Sequence, residues 1–224
     1  MNQRLISVYQ NIENQNKEKF LNNEIEIDQT WGKEIWGVTL QIDLGEKVRD
    51  QLINYQKQLS LLELDNLLLL PRQYQHISFN QIIFWGGNYK IGKEESWKSI
   101  SQEFLSKFKK LDNVFDSFEV TFSKLVATTG GIIWCGFDEN DEMEKIRNKF
   151  LTILPFPQET KKLNHIIHTT VARYKNKLNN PSKIMDFTLN HIESVSMKVN
   201  KIILRNELVF PSIKTKDIDF INLK

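Results

Sequence analysis

Two short stretches of this chain carry the same chemistry. Gln75-His76-Ile77-Ser78-Phe79 and Asn164-His165-Ile166-Ile167-His168-Thr169-Thr170-Val171-Ala172-Arg173 each contain His-x-Ser/Thr within a run rich in apolar and β-branched residues, and the two stand 92 positions apart. In a strand, side chains at i and i+2 point to the same face, which places His76 beside Ser78 and His168 beside Thr170. If the two strands face one another, two imidazoles and two hydroxyls converge on one pocket. Imidazoles titrate near neutrality, so a pair can hold one neutral ring as base and one protonated ring as acid. Hydroxyls donate hydrogen bonds where negative charge must be held. That equipment suits phosphodiester cleavage, which activates one oxygen and protonates another on opposite sides of phosphorus. The competing reading is two buried histidines, each satisfied by a neighbouring hydroxyl.

Other constellations are weaker. His165 and His168 would share a helix face as a metal pair, but Ile166, Ile167, Thr169, Thr170 and Val171 favour a strand. Positions three apart then face opposite ways, and no nearby Cys or carboxylate completes a set, so neither a metal nor a cofactor is expected. His191 reads as a surface or capping group. The chain lacks a Walker-type phosphate loop, a Gly-x-Gly-x-x-Gly after a strand and a Gly-x-Ser-x-Gly elbow. Gly86-Gly87 and Gly130-Gly131 read as turns. The lone cysteine, Cys135, lies in the apolar run Ile132 to Gly136 and reads as a buried, inert thiol.

Length and composition bound the setting for this chemistry. The 224 residues suffice for one large domain or two small lobes with a real core. Lys+Arg 30 against Asp+Glu 28 gives a net charge of +2, too little for a protein that holds long nucleic acid mainly by neutralising phosphates. The first twenty residues lack the apolar core of a signal peptide, and no run is long enough to span a bilayer. A cytoplasmic protein without a membrane is the expectation.

The elements that must position the motifs follow from periodicity. Leu5, Val8, Tyr9 and Ile12 lie on one helical face, so residues 1–34 read as a helical and polar extension and 35–224 as the main domain. Ile35 to Leu44 reads as a strand, Lys47 to Leu62 as a helix, and Leu67 to Leu70 as an edge or break before Pro71. Tyr74, His76 and Ser78 then share a face. Ser96 to Leu111 reads as a helix with Ser96 as its N-cap. Phe118 to Val126 and Ile132 to Phe137 read as strands, Asp138 to Leu154 and Ile184 to Ile192 as helices, and Val195 to Leu204 as a strand. Glu207 to Pro211 and Ile218 to Leu223 supply a last pair. The order suggests two halves of similar content, each with one His-x-Ser/Thr.

These residues carry a resemblance. His76-Ile77-Ser78 and His168-Thr169-Thr170-Val171-Ala172-Arg173 resemble the two signature motifs of the two-histidine (2H) phosphoesterase superfamily, the second nearest to its bacterial 2'-5' RNA ligase and cyclic phosphodiesterase branch. Val199 to Arg205 resembles the strand that closes that fold. The chain departs in having Ser78 where that branch more often has Thr, and in the thirty-odd residues before the usual start. The resemblance implies an α+β, bilobal, pseudo-twofold fold with two antiparallel sheets facing a central cleft and helices outside. It implies metal-independent chemistry by His76, Ser78, His168 and Thr170 on a nucleotide or short RNA substrate; a monomer with no obligate protein partner is the expectation. Arg173 matches the arginine that closes the second motif and is a candidate for phosphate or ribose, although strict alternation turns it away from His168. Tyr74 and Tyr174 share parity with the histidines and are candidates for base stacking. Trp85, Trp134 and Phe210 read as core.

Overall fold

The computed structural model describes residues 2–63, 65–160, 166–190 and 192–224. The elements run α1 (Gln3–Leu21), β1 (Glu34–Asp43), α2 (Glu46–Glu63), β2 (Leu67–Leu69), β3 (His76–Ile83), α3 (Lys93–Lys109), β4 (Phe118–Thr128), β5 (Gly131–Phe137), α4 (Glu142–Ile153), β6 (Ile167–Tyr174), α5 (Pro181–Asn190), β7 (Val195–Val199), β8 (Lys201–Val209) and β9 (Lys214–Asn222). Two sheets form, ordered β3-β1-β8-β9 and β2-β6-β5-β4-β7. Every pairing between these strands is antiparallel. The fold is α+β, as expected.

The two halves correspond strand by strand. Apart from β2, a fifth strand that the second sheet adds beyond β6, strands run outward from each histidine strand as β3-β1-β8-β9 and β6-β5-β4-β7, and the order β1-α2-β3-α3, with β2 set aside, is answered by β5-α4-β6-α5. The helices between paired strands are exchanged. Tyr55 of α2 meets Trp134 of β5 edge-on, centroids 5.1 Å apart, and Phe187 of α5 at 6.1 Å, so α2 covers the second sheet. In return, Phe150 of α4 packs on Phe79 of β3 at 5.4 Å and Phe108 of α3 at 6.2 Å. Each of these rings is buried, and truncating such a ring to alanine costs about 3–5 kcal/mol. Against a typical domain stability of about 5–15 kcal/mol, these exchanged helices matter to the whole molecule.

The N-terminal helix is part of this core. Leu5, Tyr9 and Phe20 of α1 are buried. The Tyr9 hydroxyl accepts from the Ile167 N–H at 2.9 Å, one residue before His168, and reaches the Gly136 carbonyl at 2.9 Å.

Two expectations are corrected. The run Val195 to Leu204 is two strands: the chain leaves the second sheet at Val199, crosses at Asn200 and enters the first at Lys201. Ser96 does not cap α3, which starts at Lys93; its Oγ donates to the Gly92 carbonyl at 2.6 Å, in the manner of a hydroxyl already inside a helix.

Candidate active site

The first motif opens β3 directly after a single 3-10 turn at Arg72–Tyr74. That turn brings the Tyr74 carbonyl to 2.7 Å from His76 Nδ1. A carbonyl only accepts, so Nδ1 carries the hydrogen and Nε2 is the nitrogen left for chemistry. Ser78 Oγ stands 3.4 Å from that Nε2, on the same strand face. The second motif lies in β6, between β2 and β5.

Both motif strands carry a β-bulge three residues past the histidine. Against β1, Gln41 pairs with Ser78 and Leu40 with Asn80, leaving Phe79 as the extra residue. Against β5, Ile133 pairs with Thr170 and Ile132 with Ala172, leaving Val171 extra. An inserted residue reverses the alternation beyond it. Gln81 therefore joins His76 and Ser78, and Arg173 joins His168 and Thr170. This resolves the orientation of Arg173.

All six residues line one cleft of about 320 Å³, together with Leu70, Phe84, Trp85, Glu207, Phe210, Pro211 and Ser212. The Arg173 guanidinium lies over the Phe210 ring, 5.0 Å from its centroid, and 3.3 Å from Asp28 Oδ2. Asp28 comes from the segment between α1 and β1, and its Oδ1 accepts from the Thr30 and Trp31 N–H groups at 2.8 and 3.1 Å. The N-terminal segment thus helps to hold a cleft residue.

Behind the motifs, buried Arg147 of α4 donates to the carbonyls of Ser78 at 2.9 Å, Phe79 at 2.8 Å and Ile166 at 3.0 Å. A bulge takes backbone groups out of the ladder, and the rigid guanidinium fork satisfies them while tying the two motif strands together. Burial lowers its pKa to about 10.

Both histidines favour the neutral form. Burial depresses His76, partly opposed by its bond to the Tyr74 carbonyl. Burial, with the charges of Arg147, His76 and Arg173, brings His168 down to about 4. His168 is thus neutral near pH 7, the state from which a base starts, and His76, on which Arg205 lowers and Asp43 raises the pKa, is the less depressed of the two. A bound phosphate would supply the negative charge that raises both.

The other assignments from sequence fare differently. Tyr174 is a correction: the Val171 bulge turns it into the core, 0% exposed, where its hydroxyl donates to the Thr128 carbonyl at 2.9 Å. Tyr74 is another, since it lies in the turn and serves through its carbonyl; its ring is not among the cleft lining. Trp85, half-buried, lines the cleft rather than the core; Phe210 is buried and also lines the cleft, and Trp134 is core. Cys135 is buried and its thiol pKa is pushed up by burial. Gln81, Arg147 and Glu207 were not singled out from sequence; the equal spacing of Gln81 and Arg173 from their histidines was the one signal available. Among the described residues no three His, Cys, Asp or Glu side chains are grouped as metal ligands would be. The readings of His165 and His191 lie outside the described residues. No helix among those described is long and apolar enough to cross a membrane.

No family model matches the sequence, and no curated protein matches it. Solved structures do. The Thermus thermophilus protein TT0787 superposes with a TM-score of 0.55 at 13% identity, over 83% of this chain and 97% of that one. LigT of E. coli in complex with phosphate gives 0.53 at 12%, over 86% and 99%, and its complex with 3'-AMP gives 0.52 at 12%, over 86% and 99%. A protein described as a phosphoesterase gives 0.52 at 12%, over 84% and 99%. At such identities the likeness is one of fold, and the fold is that of the 2H phosphoesterases.

Proposed function

We propose that this chain is a 2H phosphoesterase that hydrolyses a 2',3'-cyclic phosphate, a 2'-5' linkage or a cyclic oligonucleotide without a metal, acting as a cytoplasmic monomer. The observation that carries the reading is the convergence of two His-x-Ser/Thr pairs from symmetry-related strands on one cleft. His168, neutral near pH 7, takes the proton of the attacking oxygen through one ring nitrogen. His76 gives the Nε2 proton of its charged form to the leaving oxygen, with Nδ1 held by Tyr74. Ser78 and Thr170 donate to the non-bridging oxygens, where charge builds in the transition state, and Arg173 adds a positive charge at one end. Fold alone does not define activity, so the argument rests on these side chains. The presence of phosphate and 3'-AMP in complexes of the similarly folded LigT supports a nucleotide ligand here.

RNA 2'-5' ligation is the reverse of the same chemistry at the same residues, and a nucleotide-binding module would use the same cleft without turnover. The test is hydrolysis of a 2',3'-cyclic nucleotide in excess chelator by the intact protein, His76→Ala and His168→Ala. Chelator-resistant turnover that falls about 10²–10⁴-fold in each variant supports the reading. Binding with no turnover dependent on either histidine, on cyclic or 2'-5'-linked substrates, would sink it.

A further inference from the structure

One ionisable group in the cleft has no part in the reaction above. Glu207 of β8 is 8% exposed and lines the cleft with Phe84, Trp85, Phe210 and Pro211. No Lys or Arg among the described residues forms an ion pair with it. Its environment is built with care for direction. Arg205 Nη1 donates to Gln41 Oε1 at 3.2 Å, which fixes the Gln41 amide so that its Nε2 faces Ser212 Oγ at 3.1 Å and Glu207 Oε1 at 3.3 Å. Ser212 accepts from Gln41 and so gives its own hydrogen to Glu207 Oε1. Oε1 thus receives two hydrogens, which favours the carboxylate against the burial that raises its pKa, and Oε2 accepts none among the described residues. Gly37 makes the space for it: a Cβ there would stand 3.3 Å from Glu207 Oε2, 3.3 Å from Trp85 Cβ and 3.0 Å from the Ile83 carbonyl.

A carboxylate repels phosphate, so this apolar end of the cleft suits the part of a nucleotide that carries none. A base offers two apolar faces and a polar edge, which matches aromatic walls with one acceptor among them. An ionised carboxyl only accepts. Guanine, with N1–H and the N2 amino group side by side, presents two adjacent donors; adenine, cytosine and uracil place acceptors next to their single Watson–Crick donor group.

We propose that Glu207 reads the base of the bound nucleotide and selects guanine. This rests on the nucleotide reading of the cleft and adds its base preference. Oε2, the oxygen left free, can accept from both of guanine's adjacent donors but from only one on any other base, and one hydrogen bond to a charged group discriminates by about tenfold to a hundredfold. The experiment compares kcat/KM for the 2',3'-cyclic phosphates of guanosine, adenosine, cytidine and uridine at pH 7 in the intact protein, Glu207→Gln and Glu207→Ala, with circular dichroism to confirm folding and calorimetric titration of 3'-GMP and 3'-AMP alongside. The intact protein is expected to prefer guanosine and both variants to lose the preference while still cutting the other three. Turnover with no base preference, or a preference that survives in both variants, overturns this inference and leaves the phosphodiesterase reading standing. If no cyclic nucleotide turns over, that reading fails, and the titrations decide here: tighter 3'-GMP binding lost in Glu207→Gln supports the role, and equal affinity for the two nucleotides overturns it.

Discussion

Gln81 and Arg173 occupy equivalent places in the two halves: each lies five residues beyond its histidine and shares that histidine's face because of a bulge at the third. The symmetry that pairs the histidines therefore breaks at the next position, where one half offers a neutral amide and the other a guanidinium held by Asp28. A substrate with a second charged group has a preferred orientation, with that group toward Arg173. Charge-assisted hydrogen bonds contribute about 1.5–3 kcal/mol, so Arg173→Ala is expected to lower kcat/KM for a 5'-phosphorylated dinucleotide by about tenfold to a hundredfold. Gln81→Ala should cost less than tenfold. Steady-state kinetics on both variants checks this, and equal losses would contradict an oriented cleft.

The exchanged helices make a prediction about stability. Phe150 reaches Phe79, Phe108 and Phe115 from α4, so Phe150→Ala removes the ring that joins the second half's helix to the first half's strand and helix. The expected loss is about 3–5 kcal/mol, measured by urea unfolding. A loss below about 1 kcal/mol would mean that α4 is not anchored there.

Much of this arrangement was legible in the sequence. Alternation marked β4 and the second half of β1, a short apolar run marked β5, which is buried on both faces, and the 3.6-residue period marked α2, α3 and α4, which bury one stripe each. The bulges were not legible, since Phe79 and Val171 are ordinary strand residues and one inserted residue leaves no compositional trace. Parity counting consequently put Tyr174 in the cleft and Arg173 outside it, the reverse of the structure. Asn200 was the only mark of the crossing between sheets within an otherwise continuous β-rich run. Aromatic type could not tell Trp85 and Phe210 from Trp134, because a cleft wall and a core select the same rings. Glu207 was invisible because its burial comes from Gly37, Gln41 and Ser212, which are distant in sequence or set by the turn after β8.

Arg147 is a positioning residue, and its role can be separated from simple packing. Arg147→Met keeps much of the bulk but leaves the Ser78, Phe79 and Ile166 carbonyls without their donor, at about 1–3 kcal/mol for each that stays buried and unsatisfied. It also removes a positive charge that lowers the His168 pKa. The expected result is a less stable protein with reduced kcat whose acid limb of kcat/KM moves to higher pH. Arg147→Lys should keep that limb nearer its original place while still losing stability, since an ammonium does not reproduce the fork. Lower stability with an unmoved acid limb in Arg147→Met would leave it a packing role alone.

The pH dependence follows from the depressed histidines. In free enzyme the base must be neutral and the acid protonated. Activity is therefore lost as pH falls through about 4, where His168 takes a proton, and lost as pH rises through the His76 pKa, which lies below 6.5. The profile of kcat/KM should be a bell centred on the acid side of neutrality, with a tenfold decline per pH unit on its alkaline limb. Bound phosphate raises both pKa values, so the bell for kcat should sit at higher pH. Folding has the matching dependence: the unfolded histidines bind protons near 6.5 while the folded ones resist, so stability falls as pH drops from about 6.5 toward 4. His168→Asn should remove part of that slope in urea unfolding measured across this range. A kcat/KM profile flat from about pH 4 to 9, or an optimum above about pH 8, would contradict the assignment of the two histidines to acid and base.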